Sequence, residues 1–350
     1  MKRKLKKILI IFLITALSLV LISGFAYAKV SGRCDKCHTM HNSQNNAPMA
    51  KKDDGSNSTN PYGHLTRASC TGCHAGLITD SGAPNIFGTT YGTNTTAGGT
   101  FAPTIVDSAA GDYHKVHNVR DITWTREEVE LLNATPGAES GGYTEPAGAT
   151  QLTCAGTLGC HGDHTQAGSD AGIRGFHHGW KEGYRYLQFY DGSTSTAIKG
   201  KGSSNWELGG ATASNHNVYY ATSGINDTAR DSISALCSLC HGDFHGGDDV
   251  KSGSTWIRHP TENLLSDATG WNMASVTVDY ENNPFGFNGA EYTAASTTSA
   301  YSTTGARVTC VSCHRAHGTP YNDILRWDYA LMSAGGGGTT GCLGCHHLQR

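Results

Sequence analysis

Cys310-Val311-Ser312-Cys313-His314 places two thiols three positions apart and an imidazole directly after the second. The same spacing recurs at Cys34 to His38, Cys70 to His74, Cys237 to His241 and Cys342 to His346. Chance would supply about 0.02 such pentapeptides in a chain with this much Cys and His. Cys-x-x-Cys-His is the attachment pattern of a c-type haem: the thiols bond to the two vinyl groups as thioethers, and the His is carried beneath the iron as its proximal ligand. Cys154 and Cys160 are separated by five residues instead of two, but His161 follows, and Cys160-His161-Gly162-Asp163 repeats Cys240-His241-Gly242-Asp243. A small disulfide loop is the competing reading of that pair. All 12 cysteines then fall into pairs that each end in Cys-His, with none left over. The cofactor expectation is six covalent haem c groups with their iron. The thioether positions are Cys34, Cys37, Cys70, Cys73, Cys154, Cys160, Cys237, Cys240, Cys310, Cys313, Cys342 and Cys345, and the proximal ligands are His38, His74, His161, His241, His314 and His346. A zinc ribbon is disfavoured because a His trails every pair and the chain reads as exported.

Of 18 histidines, 12 are not proximal. Outside the first 28 residues there are only four methionines, at 40, 49, 273 and 332. Axial Met raises a haem potential and a second His leaves it low, so the surplus of His makes bis-histidine coordination the expectation. His41, His164 and His317 lie three residues beyond a proximal His, and His245 lies four beyond. A residue so placed cannot easily reach the far face of its own haem, but it can reach a neighbouring one, which implies closely packed haem pairs that exchange ligands. The distal candidates are His41, His245 and His317 together with His64, His114, His117, His178, His216 and His259 in the inserts. His347, next to His346, is badly placed. If every iron has two protein ligands, none is open to substrate, and the sites carry electrons without binding small molecules.

The segments that must position these groups begin with an export signal at residues 1–28: basic Lys2, Arg3, Lys4, Lys6 and Lys7, an apolar run from Ile8 to Ile22, and Ala26-Tyr27-Ala28 as the cleavage site. An uncleaved anchor is the alternative, with a run short for a span. No Cys follows the cleavage point directly, which disfavours a lipid anchor. Removing the five cations takes the net charge from −3 to −8. Haem propionates make it more negative, which disfavours a nucleic-acid partner. Residues 29–350 are read as a single hexahaem module with no stable membrane anchor. Hydrophobic residues are 37%, Gly numbers 45, and Ser/Thr/Gly/Asn tracts separate the motifs. Without a cofactor such a chain struggles to offset its ordering entropy, so the polypeptide is expected to wrap a haem stack and to fold only with it. Local expectations are a surface loop from Asn42 to Asn60, a capping box at Thr125 and Glu128 opening a helix from Arg126 to Asn133, a weak strand from Val276 to Tyr280, and a hinge from Gly335 to Gly338. Aromatics such as Phe176, Trp180, Tyr184 and Tyr186 are expected to pad haem faces. The motif spacing, about 30 to about 80 residues, argues against a solenoid of fixed period.

Cys34-Asp35-Lys36-Cys37-His38-Thr39-Met40-His41-Asn42-Ser43, Cys237 to His245 followed by Arg258-His259-Pro260, Cys310 to His317 running into Arg326-Trp327-Asp328-Tyr329-Ala330, and Cys342 to His346 together carry a resemblance. The chain resembles the extracellular hexahaem cytochromes of metal-reducing bacteria that polymerise into conductive filaments. The inserts are not matched, and the wide Cys154 to Cys160 pair departs from the family pattern. The resemblance implies a mostly irregular, coil fold with few short helices and minimal strand, and haems alternating between parallel-stacked and T-shaped pairs. It also implies that His41 ligates the iron held by His314 in a neighbouring protomer, giving a head-to-tail homopolymer that propagates as an open filament.

The expected function is electron transfer along six bis-His haems, not enzymatic turnover, with redox partners and extracellular acceptors such as metal oxides. The expected location is the cell surface or outside it, with the periplasm as the other option. Alternatives are a discrete periplasmic shuttle and a multihaem oxyanion reductase with one open haem, although no Cys-x-x-Cys-Lys site is present. Intact mass of the exported protein is expected to equal residues 29–350 plus six covalent haems, and fewer adducts would remove the third site first.

Overall fold

A computed structural model describes residues 30, 32–78, 82–88, 96–102, 115–122, 151–203, 211–213, 215–222, 230–244, 261–265, 279–295, 305–333 and 341–346. The export signal, the 126–133 helix, residues 276–278 of the expected strand and the 335–338 hinge lie outside them. Regular structure is sparse. The longest described helices, Ile233–Ser238 and Gly289–Ala294, have six residues each. Among the described residues no helix is long and apolar enough to cross a membrane.

Among the described residues, strands run no longer than three residues and form four separate small sheets. Ser43–Gln44 (β1) pairs antiparallel with Ala47–Pro48 (β2). Thr153–Ala155 (β3) pairs parallel with Gly159–His161 (β4), and Gln188–Tyr190 (β5) pairs antiparallel with Ser195–Ala197 (β6). Gly200–Lys201 (β7), Val218–Tyr220 (β8) and Gly286–Phe287 (β9) make the one three-stranded sheet of the described residues.

The segment read as a surface loop is better ordered than its composition suggests. Asn45 and Asn46 adopt φ values of 53° and 62°, the left-handed pair a two-residue hairpin turn needs. Asn42 is buried; its Oδ1 accepts from the Met49 and Ala50 amides at 3.2 and 2.7 Å, and its Nδ2 donates to the Ser58 carbonyl at 2.7 Å. One side chain thus ties the hairpin to the backbone beyond it.

The apolar interior is divided. One cluster joins Leu187, Phe189, Ile198, Tyr219, Ile233, Leu236 and Val311; a second centres on Phe285, Phe287 and Val218 and packs against Cys345; a third joins Phe87, Phe101, Val116 and Ile122 and packs against Cys154. Each cluster backs directly onto an attachment segment. The irregular backbone between them is satisfied by cross-links between distant loops. Thr100 donates to the Gly318 carbonyl at 2.8 Å, His317 to Gly98 at 2.6 Å, His117 to His317 at 3.0 Å and Thr319 to Lys115 at 2.9 Å. Gly99 sits at φ +92°, and a Cβ there would meet the Gly318 carbonyl oxygen at 2.0 Å. Gly99→Ala is therefore expected to cost about 2 kcal/mol, read as a lower melting temperature of the haem-loaded protein.

Candidate haem and iron sites

The Cys-x-x-Cys-His segments coil into single helical turns, because a spacing of three and four residues puts both thiols and the imidazole on one face. His38 donates its amide to Cys34, His241 to Cys237 and His314 to Cys310, at 2.8, 3.0 and 3.1 Å. Hydroxyl side chains start several of these turns. Ser69 caps Cys70–His74 by accepting from the Gly72 amide at 3.0 Å, Ser232 caps the helix carrying Cys237 by accepting from the Ala235 amide at 3.0 Å, and Thr309 with Ser312 closes a reciprocal capping box around Cys310.

The wide third pair reaches the same end by another route. Thr153 lies opposite Gly159 and Ala155 opposite His161, so Cys154 and Cys160 occupy facing register positions. A wound loop makes this possible: Gly156 turns at φ +86°, and Gly159 presses so closely on Ala155 that a Cβ would come within 2.5 Å of its backbone. Asp121 fixes the loop from outside, its Oδ2 accepting from the Cys154 amide at 2.6 Å and from Ser169 Oγ at 2.7 Å. The extra residues are coiled away, and the two cysteines stand level in the backbone register. None of the 12 cysteines is joined to another in a disulfide.

Three proximal histidines share one backbone clamp. His38 Nδ1 meets the His64 carbonyl at 3.2 Å, His161 Nδ1 meets Arg185 at 2.8 Å and His314 Nδ1 meets Asp323 at 2.8 Å. The next amide repeats the contact one residue on: Thr39 to Leu65 at 2.8 Å, Gly162 to Tyr186 at 2.7 Å and Arg315 to Ile324 at 3.0 Å. In each case both accepting residues have positive φ, between 51° and 65°. At the first and fifth sites an arginine also wraps the Cys turn from behind. Arg67 donates to the Asp35 and Lys36 carbonyls at 3.3 and 3.2 Å, and Arg326 to Val311 and His314 at 2.6 and 3.2 Å. His74, at the second site, places Nδ1 3.0 Å from the Pro84 carbonyl.

These contacts prepare the rings as ligands. An Nδ1–H committed to a carbonyl fixes the tautomer and leaves Nε2 with its lone pair. Burial lowers the pKa of His74, His161 and His314, and takes His117 and His177 to about 4 and His317 to about 3. All are neutral at ordinary pH, the form that binds a metal. Burial pushes the Cys73 and Cys345 thiols up to about 11 and Cys313 to about 12. A zinc site would need thiolates; a neutral thioether suits these surroundings. Among the described residues no cluster of His, Cys, Asp or Glu forms a ready metal cage.

Opposite four proximal rings stand four other imidazoles. Ring centroids are 6.0 Å apart for His38 and His178, 6.4 Å for His74 and His177, 6.2 Å for His161 and His317, and 6.2 Å for His241 and His117. Two imidazoles bound through Nε2 to opposite sides of one metal, at about 2.0 Å each, have centroids about 6.3 Å apart. The residues present therefore fit an iron between each pair. Aromatics brace the outer rings: Trp180 stacks on His178 at 5.1 Å, Tyr186 leans on His177 at 5.0 Å and Phe101 stacks on His317 at 4.8 Å.

The attachment sites succeed one another in space in chain order. Cys37 lies within electrostatic reach of Cys73, Cys70 is in hydrogen-bond contact with Cys154, Cys160 is within reach of Cys240, Cys237 contacts Cys310, and Cys313 is within reach of Cys342 and Cys345.

Of the distal candidates, the structure brings His117, His178 and His317 opposite proximal rings. His64 lies on the proximal side of the first site, where its carbonyl takes His38. His216 is buried, with Nδ1 2.8 Å from the Thr212 carbonyl and its ring 4.4 Å from Tyr280. His164 lies with Nε2 3.4 Å from the Cys160 carbonyl. His41 is exposed, at φ 54°. Among the described residues no imidazole stands opposite His314. His114, His245, His259 and His347 lie outside the described residues. His177 was absent from the sequence-derived candidates. Its signal was its adjacency to His178, since successive residues diverge and can serve two neighbouring sites.

Residues 304–350 match the family model described as a doubled CXXCH motif, which spans the last two sites. The chain is 26% identical to the C-type cytochrome OmcS of Geobacter sulfurreducens, over 91% of this chain and 84% of that protein. Two solved structures are also similar. The outer membrane cytochrome S filament from Geobacter sulfurreducens is 20% identical with a TM-score of 0.48, and the OmcS nanowires from the same organism are 17% identical with a TM-score of 0.47; each covers 88% of this chain and 86% of the other. Along most of its length the chain is similar in sequence to the C-type cytochrome OmcS, and its Cys-x-x-Cys-His turns are those that hold covalently bound haem c with iron.

Proposed function

We propose that the chain is a six-haem electron carrier, exported to the cell surface, whose protomers join head to tail into a filament and pass electrons along bis-His sites to an extracellular acceptor. The single observation that carries this reading is the set of four imidazole pairs at the spacing of axial ligands to one metal. Bound haem iron supplies one-electron redox chemistry. The chain's own residues hold the imidazoles neutral, fix their Nδ1 atoms and place successive attachment cysteines against one another. His346 takes the sixth site, with His216, His245 and His259 as its candidate partners.

Support for the polymer comes from how ligands are handed along. The segment around the third site provides His178 and His177, which face the first and second proximal rings. The segment around the fifth site provides His317, and holds His117 through the Ala316 carbonyl at 2.6 Å, which face the third and fourth. Each clamped site thus serves the two before it. His41 follows its clamped proximal His by three residues, as His317 does. By the same rule it would serve the His314 site of a preceding protomer, which matches its exposure.

The reductase alternative has one observation in its favour, the absence of an imidazole opposite His314 among the described residues. One experiment separates the readings. Native protein is expected to appear as filaments by electron microscopy, with no carbon monoxide spectral change when reduced. His41→Ala is expected to give dispersed particles in which one haem of six binds carbon monoxide. Monodisperse native particles would remove the polymer, and carbon monoxide binding by native filaments would favour an open, catalytic iron.

A further inference from the structure

Glu262 is fully buried, and its surroundings are built to hold a carboxylate. Oε1 accepts from Ser232 Oγ at 2.9 Å, and Oε2 accepts from the Thr222 amide and from Thr222 Oγ1 at 3.2 Å. Ser234 also bonds the carboxylate, while its Oγ accepts from the Cys310 amide at 3.2 Å. The residue is held at φ 67°, a conformation that costs a side-chain-bearing residue energy and persists only where the surroundings impose it. Its own amide donates to Val308 at 3.0 Å, and Arg307 Nη1 donates to its carbonyl at 2.7 Å.

The position is a junction. Ser232 and Ser234 belong to the helix cap and first turn that lead to Cys237 at the fourth site, and Cys310 opens the fifth. Cys237 and Cys310 are themselves in contact. The charged and titratable groups facing Glu262 are few. Arg307 spends its Nη1 on the backbone carbonyl, Asp231 beside Ser232 is paired with Lys199 at 2.6 Å, and Cys310 is consumed by haem attachment. A charge on Glu262 therefore acts on the fourth and fifth sites through buried, poorly screening protein.

We propose that Glu262 is the proton-accepting residue of this haem pair: when an electron arrives from the neighbouring haem and one iron passes from ferric to ferrous, Glu262 takes one proton from solvent and becomes the neutral acid. The step balances one electron at the iron against one proton at Oε. Desolvation raises the Glu262 pKa from its ordinary value, partly opposed by the bonds from Ser234, Ser232 and Thr222, and loss of a positive charge at the iron raises it further. The ionised form favours the ferric state, so the potential of the pair falls as pH rises above the ordinary glutamate range. The inference rests on the haem assignment above.

The test is a spectroelectrochemical titration across pH on wild-type protein and Glu262→Gln, after intact mass has established equal haem content. One wild-type haem is expected to lose up to about 59 mV per pH unit. In the variant that slope disappears and the potential at high pH is raised, while slopes from propionates persist in both. An unchanged slope with full haem content would overturn the role of Glu262, whereas missing haems in the wild type would overturn the assignment beneath it. A reduced-minus-oxidised infrared difference spectrum of the wild type does not depend on the variant folding: a carboxylic acid band that shifts in heavy water is expected, and its absence would also refute the proposal.

Discussion

An imidazole buried in protein can bind iron only if it is neutral and turned the right way, and two features of the structure meet those conditions. A backbone carbonyl holds Nδ1–H, and burial keeps the ring from taking a second proton. His38, His74, His161 and His314 have such a carbonyl at 2.8 to 3.2 Å, and so does His117 at 2.6 Å. Much of the rest of the structure supplies those carbonyls. Regular helices and sheets tie up their carbonyls internally, whereas left-handed turns such as Arg185-Tyr186 leave theirs pointing outward. A coil-rich chain is therefore suited to this task in a way that a helical bundle would not be.

The divided core follows from the same constraint. Each apolar cluster backs an attachment segment, and none grows large enough to organise the whole chain. Covalently attached haem is placed to join the clusters, which would make folding and cofactor loading one process. Buried arginines such as Arg315 and Arg326 extend the principle, because their guanidinium groups bind several loop carbonyls at once where no ladder is available. The coil character expected from the family resemblance is what the described residues show.

The cysteines and proximal histidines were legible in the sequence because covalent attachment demands tight local spacing. The wide Cys154–Cys160 pair is marked in the sequence by its trailing His161, but nothing there announces that a coiled loop sets the two cysteines in facing register. The distal partners were only partly legible. His117, His178 and His317 are among the nine candidates and His177 is not, because a partner brought from a distant loop leaves no local spacing. The clamp also has no fixed period. It joins residues 26, 24 and 9 positions apart at the three sites, so the insert lengths hide it. Its written trace is the pairing of Pro61-Tyr62 with Arg67 and of Pro320-Tyr321 with Arg326.

The forward donation of imidazoles described for the third and fifth segments has an arithmetic consequence. A rule in which every unit finishes the one before it has no built-in last member. In the proposed filament, however many copies are joined, one incomplete pocket would remain at one end and one unspent donor at the other. Length is then decided by supply and by whatever seals an end, not by the shape of the unit itself.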